Sequence, residues 1–386
     1  MPLYENYQSP WLNDELRILA DACQKFFQAE FVPRNEAWIK QGKVDREAWN
    51  KAGEAGLLCA ALPEKYGGGG GDYRHETVVM EEQFRAGISG FGNQVHSSIV
   101  VPYLYHYGSE EQRMRWLPKM ASGEMVGAIA MTEPNTGSDL QAIRTTAIRD
   151  GDEYVINGAK TYITNGQHAD LVIVVAKTDP QLGAKGISLV VVETANNTGF
   201  ERGRNLTKLG QKSADTSELF FQDCRVPLNN RLGDEEGKGF VQLMQQLPQE
   251  RLSIAQAGIV CAERAIELTL DFVRERKAFG QRVLDFQNTR FKLAEAKTEA
   301  LIGRTFVDQC LTRHLRGELD AATASMAKYW CTQKQCEIID ECLQLHGGAG
   351  YMDEYEISRL YADARVQKIY GGTNEIMKEL IGRTLG

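Results

Sequence analysis

The apolar residues of this chain change their spacing twice, and that double change limits the folds open to it. Up to about residue 122 they recur three and four apart, as in DELRILADACQKFFQAEF and EEQRMRWLPKMASG, the pattern of helices with one buried face. From about 129 to 236 alternation takes over. TTAIRDGDEYVINGAKTYITNG carries the turn dipeptides Asp150-Gly151 and Asn157-Gly158, and LVIVVAKT and GISLVVVET are short β-branched runs. No helical stretch separates these strands, so a parallel Rossmann sheet is disfavoured and a small antiparallel barrel or sandwich is expected. Beyond 238 helical spacing returns over Leu252 to Val273, Phe286 to Cys310, and Ala321 to Leu345, the last ending at Gly347-Gly348. Long helices with short connections read as an antiparallel bundle. The expectation is an α+β multidomain chain: an N-terminal α-helical domain over 1–128, a middle antiparallel β-barrel domain over 129–237, and a C-terminal helical bundle over 238–386. A length of 386 residues, more than one hydrophobic core usually serves, agrees with several packed units.

Charge and cysteine usage narrow the function classes. With 44 basic residues against 52 acidic ones the net charge is −8, which argues against a nucleic-acid partner, because phosphate contacts need a basic field. No apolar run approaches the roughly 20 residues that span a bilayer, so integral membrane association is not expected. The start MPLYENYQSPWLNDELR lacks the basic and apolar regions of an export signal. The eight cysteines form no CxxC pair and the six histidines no pair four apart, so neither disulfides nor a metal site is expected.

Glycine is over-represented, with 37 in the chain, and its clusters are informative. Gly67–Gly71 is not followed by Lys-Ser or Lys-Thr, so it is no P-loop, and a flexible surface loop is expected over a ligand cradle. The stretch Met131-Thr132-Glu133-Pro134-Asn135-Thr136-Gly137-Ser138-Asp139 concentrates hydroxyls and free amides suited to a phosphate or a polar ring edge; an ordinary Ser/Thr-rich turn is the competing explanation. Gln344 to Tyr351 either leaves bare backbone open to a ligand or caps a helix. Ile369-Tyr370-Gly371-Gly372-Thr373-Asn374-Glu375 is a tight turn into a terminal helix, with Thr373 also readable as a plain N-cap. Three such turns together suggest one large polar cofactor.

These residues carry a resemblance to the acyl-CoA dehydrogenase family, covering essentially the whole chain. Ala130-Met131-Thr132-Glu133 with Gly137-Ser138-Asp139 matches one family pattern, with Thr136 where a small residue is usual. Gln344, Gly347, Gly348, Gly350, Tyr351, Glu354, Arg359 and Asp363 fall at the spacing of a second, and Arg274 to Gly280 resembles the flavin-contacting segment. The resemblance implies a flavoprotein that binds FAD between the β domain and the bundle. It implies contacts from Ile129, Met131, Thr132, Gly137 and Ser138, with Ser138 also touching substrate. Tyr162, Ile163 and Thr164 match the strand over the other flavin face, where the family often has Trp or Phe; a buried Tyr162 phenol would need a polar partner. The adenine end is expected to cross a subunit interface to Arg276, Phe279, Gln287, Gln344, Gly347 and Gly348, with Thr373 and Glu375 also near the cofactor. A homotetramer and an electron-transfer flavoprotein as acceptor are implied partners.

Dehydrogenating an acyl thioester removes an α proton and a β hydride. The resemblance implies that flavin N5 takes the hydride, which leaves the protein to supply a base and to stabilise enolate charge. Many family members carry the base as the Glu of Tyr-Glu-Gly-Thr, which reads here Tyr370-Gly371-Gly372-Thr373. Isovaleryl-CoA and long-chain acyl-CoA dehydrogenases combine a glycine there with a glutamate on an internal helix, and Glu250 in Leu247-Pro248-Gln249-Glu250-Arg251-Leu252 occupies that second place. From charge pattern alone Glu250 would read as a surface carboxylate or a local ion pair; the missing carboxylate at Gly371 reverses that reading. Glu375 and Glu133 are competitors, the latter with a structural role in the family pattern. The Gly371 N–H is implied to hydrogen-bond the thioester carbonyl together with a ribityl hydroxyl of the flavin, and Arg251, Tyr370 and Gly372 to border the substrate.

The segments around the base resemble the long-chain branch most. The expected reaction is oxidation of a medium-to-long, or methyl-branched, acyl-CoA to the trans-2-enoyl-CoA in fatty acid β-oxidation. Rival readings are a branched-chain or terpenoid acyl-CoA dehydrogenase, an acyl-CoA oxidase, and, outside enzymes, a catalytically silent assembly subunit. A cytoplasmic location is expected, or the mitochondrial matrix for a processed mature form.

Overall fold

A computed structural model describes residues 3–386. The N-terminal unit is built from α1 (Asp14–Phe26), α2 (Val32–Gln41), α3 (Arg46–Glu54), α4 (Tyr73–Arg85), α5 (Asn93–Val95), α6 (Val101–Tyr107) and α7 (Glu110–Ala121). Asn13 caps α1 by accepting the Leu16 N–H at 2.9 Å, and Ser109 with Gln112 forms a capping box on α7. Trp38, Trp49, Trp116, Phe27, Phe31 and Phe91 fill the core, with the Phe31 and Trp38 rings edge-to-face at 5.2 Å. π-helical turns at Phe27–Phe31 and His96–Val100 interrupt the helical hydrogen-bonding pattern beside this core.

The glycine run Gly67–Gly71 is the surface loop expected, but it is pinned rather than free. Its Gly69, Gly70 and Gly71 amides bond the carbonyls of Cys59, Leu62 and Ala60, and a Cβ on Gly68 would lie 2.2 Å from the Leu62 carbonyl oxygen. Backbone packs on backbone here, which only glycine allows.

The middle unit is one seven-stranded sheet: β1 (Gly127–Ala130), β2 (Thr146–Asp150), β3 (Glu153–Thr164), β4 (Leu171–Lys177), β5 (Ile187–Glu193), β6 (Phe200–Asn205) and β7 (Thr216–Pro227). Its order is β1-β4-β2-β3-β7-β6, with β5 on β4. The β2–β3, β3–β7, β4–β5 and β6–β7 pairs are antiparallel, whereas β1 and the start of β2 run parallel to β4. The apolar runs of β4 and β5 are buried along their length, as such runs predict. Asp150-Gly151 makes the β2–β3 hairpin as expected, but Asn157-Gly158 makes no turn. It lies within β3 at a bulge against β7, where a Cβ on Gly158 would meet Thr145 Oγ1 at 2.4 Å.

The chain then runs through α8 (Gly239–Glu275), the β8 (Lys277–Ala278) and β9 (Gln281–Arg282) ribbon, α9 (Gln287–Leu315), α10 (Ala321–Leu345), α11 (Glu356–Ala364) and α12 (Asn374–Gly382). Together they form a C-terminal helical bundle. Buried Arg304 of α9 joins Glu263 of α8 at 2.7 Å and Glu81 of α4 at 2.5 Å, tying the bundle to the N-terminal unit. All eight cysteines are free thiols. Among the described residues no helix is long and apolar enough to cross a membrane, and no side-chain cluster could hold a metal.

Candidate active site

A cavity of about 440 Å³ opens where the three units meet. Thirteen of the residues singled out by sequence line it. From β1 and the loop after it come Ile129, Met131, Thr132, Gly137 and Ser138. The end of β3 supplies Tyr162, Ile163 and Thr164, α8 supplies Glu250 and Arg251, and the turn before α12 supplies Tyr370, Gly371 and Gly372.

The β1 and β3 walls are held side by side by identifiable bonds. The Thr161 N–H donates to the Thr132 carbonyl at 2.9 Å. Buried Lys160 donates to the carbonyls of Met131 (3.0 Å) and Val175 (2.8 Å) and to Glu133 (2.9 Å). Glu133 also accepts the Arg144 and Thr145 amides at 2.7 and 2.9 Å. Burial opposes the Glu133 charge, but Lys160 and these amides hold it below the ordinary carboxylate value, while burial lowers Lys160 to about 8. Glu133 is therefore committed to holding the loop and does not line the cavity. A bulge between Lys160 and Ile163 sets Tyr162 at φ +59° and leaves it 68% exposed, so its phenol needs no buried partner.

Glu250 lies on α8, two residues past Pro248, and is buried. The Tyr103 hydroxyl of α6 donates to Glu250 Oε1 at 2.7 Å. Burial raises the carboxyl to about 7, against the lowering effects of that hydrogen bond and of Arg251. Such a group exchanges a proton near neutral pH. Arg251 is buried too; it donates to Ser325 Oγ at 3.3 Å, and its Nε has no partner among the described residues.

The Gly371-Gly372 turn completes the site. Both glycines lie at positive φ, +65° and +89°, and a Cβ at Gly371 would stand 2.3 Å from Ile254 Cδ1. Ile254 follows Glu250 by one helical turn, so α8 presents a carboxylate and an apolar side chain to the same turn. The Gly371 N–H has no acceptor within the described residues. A buried carboxyl and a free amide bordering one largely apolar cavity can deprotonate a carbon acid and polarise its carbonyl. The hydroxyls of Thr132, Ser138 and Thr164 form no hydrogen bonds among the described residues, so this wall fits the polar edge of a flavin.

Eight sequence-selected residues lie elsewhere. Arg276, Phe279, Gln287, Gln344, Gly347 and Gly348 are exposed away from the cavity, Phe279 at 97% on the tip of the β8–β9 ribbon. Thr373 caps α12 by accepting the Ile376 N–H at 3.3 Å, and Glu375 is on the surface. Tyr103, Ile254 and Lys328 went unnoticed in the sequence. Only Lys328 left a signal: a lysine at a buried phase of a helix, beside Ala324, Ala327 and Cys331.

Family models for the acyl-CoA dehydrogenase N-terminal, middle and C-terminal domains match residues 13–124, 128–224 and 237–386. The chain is 51% identical over 375 residues to the mitochondrial long-chain specific acyl-CoA dehydrogenase of Mus musculus, covering 97% of this chain and 87% of that one. It superposes with a TM-score of 0.96 on an acyl-CoA dehydrogenase from Geobacillus kaustophilus, 49% identical, over 98% and 100% of the two chains. A glutaryl-CoA dehydrogenase from Mycobacterium smegmatis in complex with FADH2 gives a TM-score of 0.90 at 29% identity, over 97% and 95%. The chain belongs to the acyl-CoA dehydrogenase family and is a flavin-dependent oxidoreductase.

Proposed function

We propose that this protein oxidises a medium-to-long acyl-CoA, methyl-branched chains included, to the trans-2-enoyl-CoA, with Glu250 as the base. The observation that carries the reading is the pairing of buried Glu250 with the free Gly371 N–H on one cavity. The acyl chain lies among Phe84, Phe91, Val95, Ile99, Phe240 and Leu247, whose apolar surfaces exclude water. The thioester carbonyl accepts the Gly371 N–H, a contact worth about 3 kcal/mol in the transition state. Glu250 removes the α proton as enolate charge builds on that oxygen. Arg251 and Tyr370 border the same cavity and restrict where the thioester lies.

FAD, when bound, supplies the oxidant that takes the β hydride. The loop 129–138 and residues Tyr162 to Thr164 would hold its ring. Arg276, Phe279, Gln287, Gln344, Gly347 and Gly348 would reach the adenine end of a cofactor in a neighbouring subunit of a homotetramer, a role suited to exposed residues far from their own cavity. Thr373 and Glu375 would act from the cofactor side of α12. Electron-transfer flavoprotein is the proposed acceptor.

The test is anaerobic flavin bleaching with linear and branched acyl-CoAs of increasing length. Bleaching strongest with medium-to-long chains is expected, and Glu250→Gln should bind FAD and acyl-CoA without bleaching. A variant that bleaches like the wild type would remove Glu250 from the role. Reoxidation of the reduced enzyme in air should be slow; rapid reoxidation would make the protein an oxidase.

A further inference from the structure

Lys328 is a lysine where a bundle helix should have an apolar side chain. It lies on α10 with no exposed surface, and among the described residues no carboxylate forms an ion pair with it. Its Nζ instead donates to the Gly372 carbonyl at 2.7 Å and to Asn374 Oδ1 at 2.9 Å. Burial and the nearby Arg251 charge lower this amine to about 7, and a lysine buried without an ion-pair partner is unfavourable for folding alone, so its presence here calls for another account.

The turn it grips explains the need. Gly371 and Gly372 both occupy positive φ and have no side chains to anchor them. Thr373 fixes only the helix that follows, through its cap on Ile376. Asn374 is buried and takes a second bond from Thr332 Oγ1 at 3.2 Å. Lys328 and Thr332, one turn apart on α10, therefore hold the turn from the α10 side. The Gly371 N–H, one residue before the gripped carbonyl, is among the amides of the turn left without an acceptor within the described residues.

We propose that Lys328 is a positioning residue: by clamping the Gly372 carbonyl and Asn374 to α10, it aims the Gly371 N–H at the substrate's thioester carbonyl. The inference rests on the reading of Gly371 given above. Lys328 touches neither substrate nor cofactor; it acts through a turn whose conformational freedom would otherwise misalign the donor. Displacement of a group by about 1 Å can reduce a rate on the order of a hundredfold.

Isotope-edited infrared difference spectra of a trans-2-enoyl-CoA, labelled at the thioester carbonyl and bound to the FAD-loaded enzyme, test this. Wild type should shift the carbonyl stretch to lower frequency than in free solution. Lys328→Met and Lys328→Gln should lose most of that shift, with kcat falling about ten- to a hundredfold and KM changing less than about threefold. An unshifted carbonyl in wild type would overturn the reading of Gly371 itself. A shifted wild type with equally shifted variants would leave that reading intact and overturn the role of Lys328. If neither variant folds and binds FAD, Lys328 is a folding residue and the proposal fails.

Discussion

The hydroxyl of Tyr103 donates to Glu250 Oε1 at 2.7 Å, the one side-chain hydrogen bond to that buried carboxylate among the described residues. The bond holds the carboxyl group in one orientation and opposes the effect of burial on its protonation. A hydrogen bond to a charged group contributes about 1.5–3 kcal/mol, or roughly one to two pH units. Tyr103→Phe should move the acidic limb of the kcat/KM profile upward by that interval. A pH–rate profile checks it, and an unmoved limb would mean that Glu250 does not set it.

Burial raises Glu250 from 4.5 to about 7, so the folded protein binds this proton more tightly than the unfolded chain. The contribution to stability is full below the unfolded value and is lost as pH rises through about 7. Glu250→Gln carries no charge to desolvate. It should match wild type near pH 4 and exceed it by up to about 3 kcal/mol at pH 8. Paired unfolding curves across that range measure the gap; a constant gap would contradict the burial argument.

Returning the base to position 371 meets a steric condition. Gly371→Glu places a side chain at φ +65° and against Ile254 Cδ1, with a backbone penalty of about 1–2 kcal/mol. The double variant Gly371→Glu, Glu250→Gly should reduce its flavin poorly. Adding Ile254→Ala should raise the rate, as single-turnover bleaching would show.

Glu133→Gln removes the counter-ion of buried Lys160, which must then stay charged and unpaired or give up its proton. A loss of about 3–5 kcal/mol is expected, with weaker FAD retention because Lys160 also anchors the Met131 carbonyl. Thermal unfolding and bound-flavin absorbance report the two effects. Unchanged stability would show that the pair is not needed.

Two glycines should respond oppositely to alanine. Gly68→Ala drives a Cβ into the Leu62 carbonyl oxygen and should lower the melting temperature by several degrees. Gly137→Ala meets nothing within 4 Å, so it should fold normally, and any effect should appear in FAD affinity.

Much of this was legible in the residues. The change of apolar spacing located the helical and strand regions, and Ala321 to Leu345 forms a helix over those same residues. Local geometry was less legible. Asn157-Gly158 has the composition of a turn, yet cross-strand pairing with β7 kept it inside β3, because sheet register outweighs a dipeptide preference. Gly67–Gly71 suggested freedom, but its place against Cys59 to Leu62 turned absent side chains into a packing requirement.

By itself the sequence determined which residues to propose for the chemistry: Glu250 on a helix, a glycine at 371, hydroxyls in the loop after β1. These assignments follow from the family resemblance carried by local motifs; charge pattern alone would leave Glu250 a surface carboxylate. Only the tertiary structure decided how they act. Tyr103 lies 147 residues from Glu250, and Lys328 lies 44 from the carbonyl that it grips. Their effects depend on desolvation and on hydrogen bonds between distant segments, and neither exists until those segments pack.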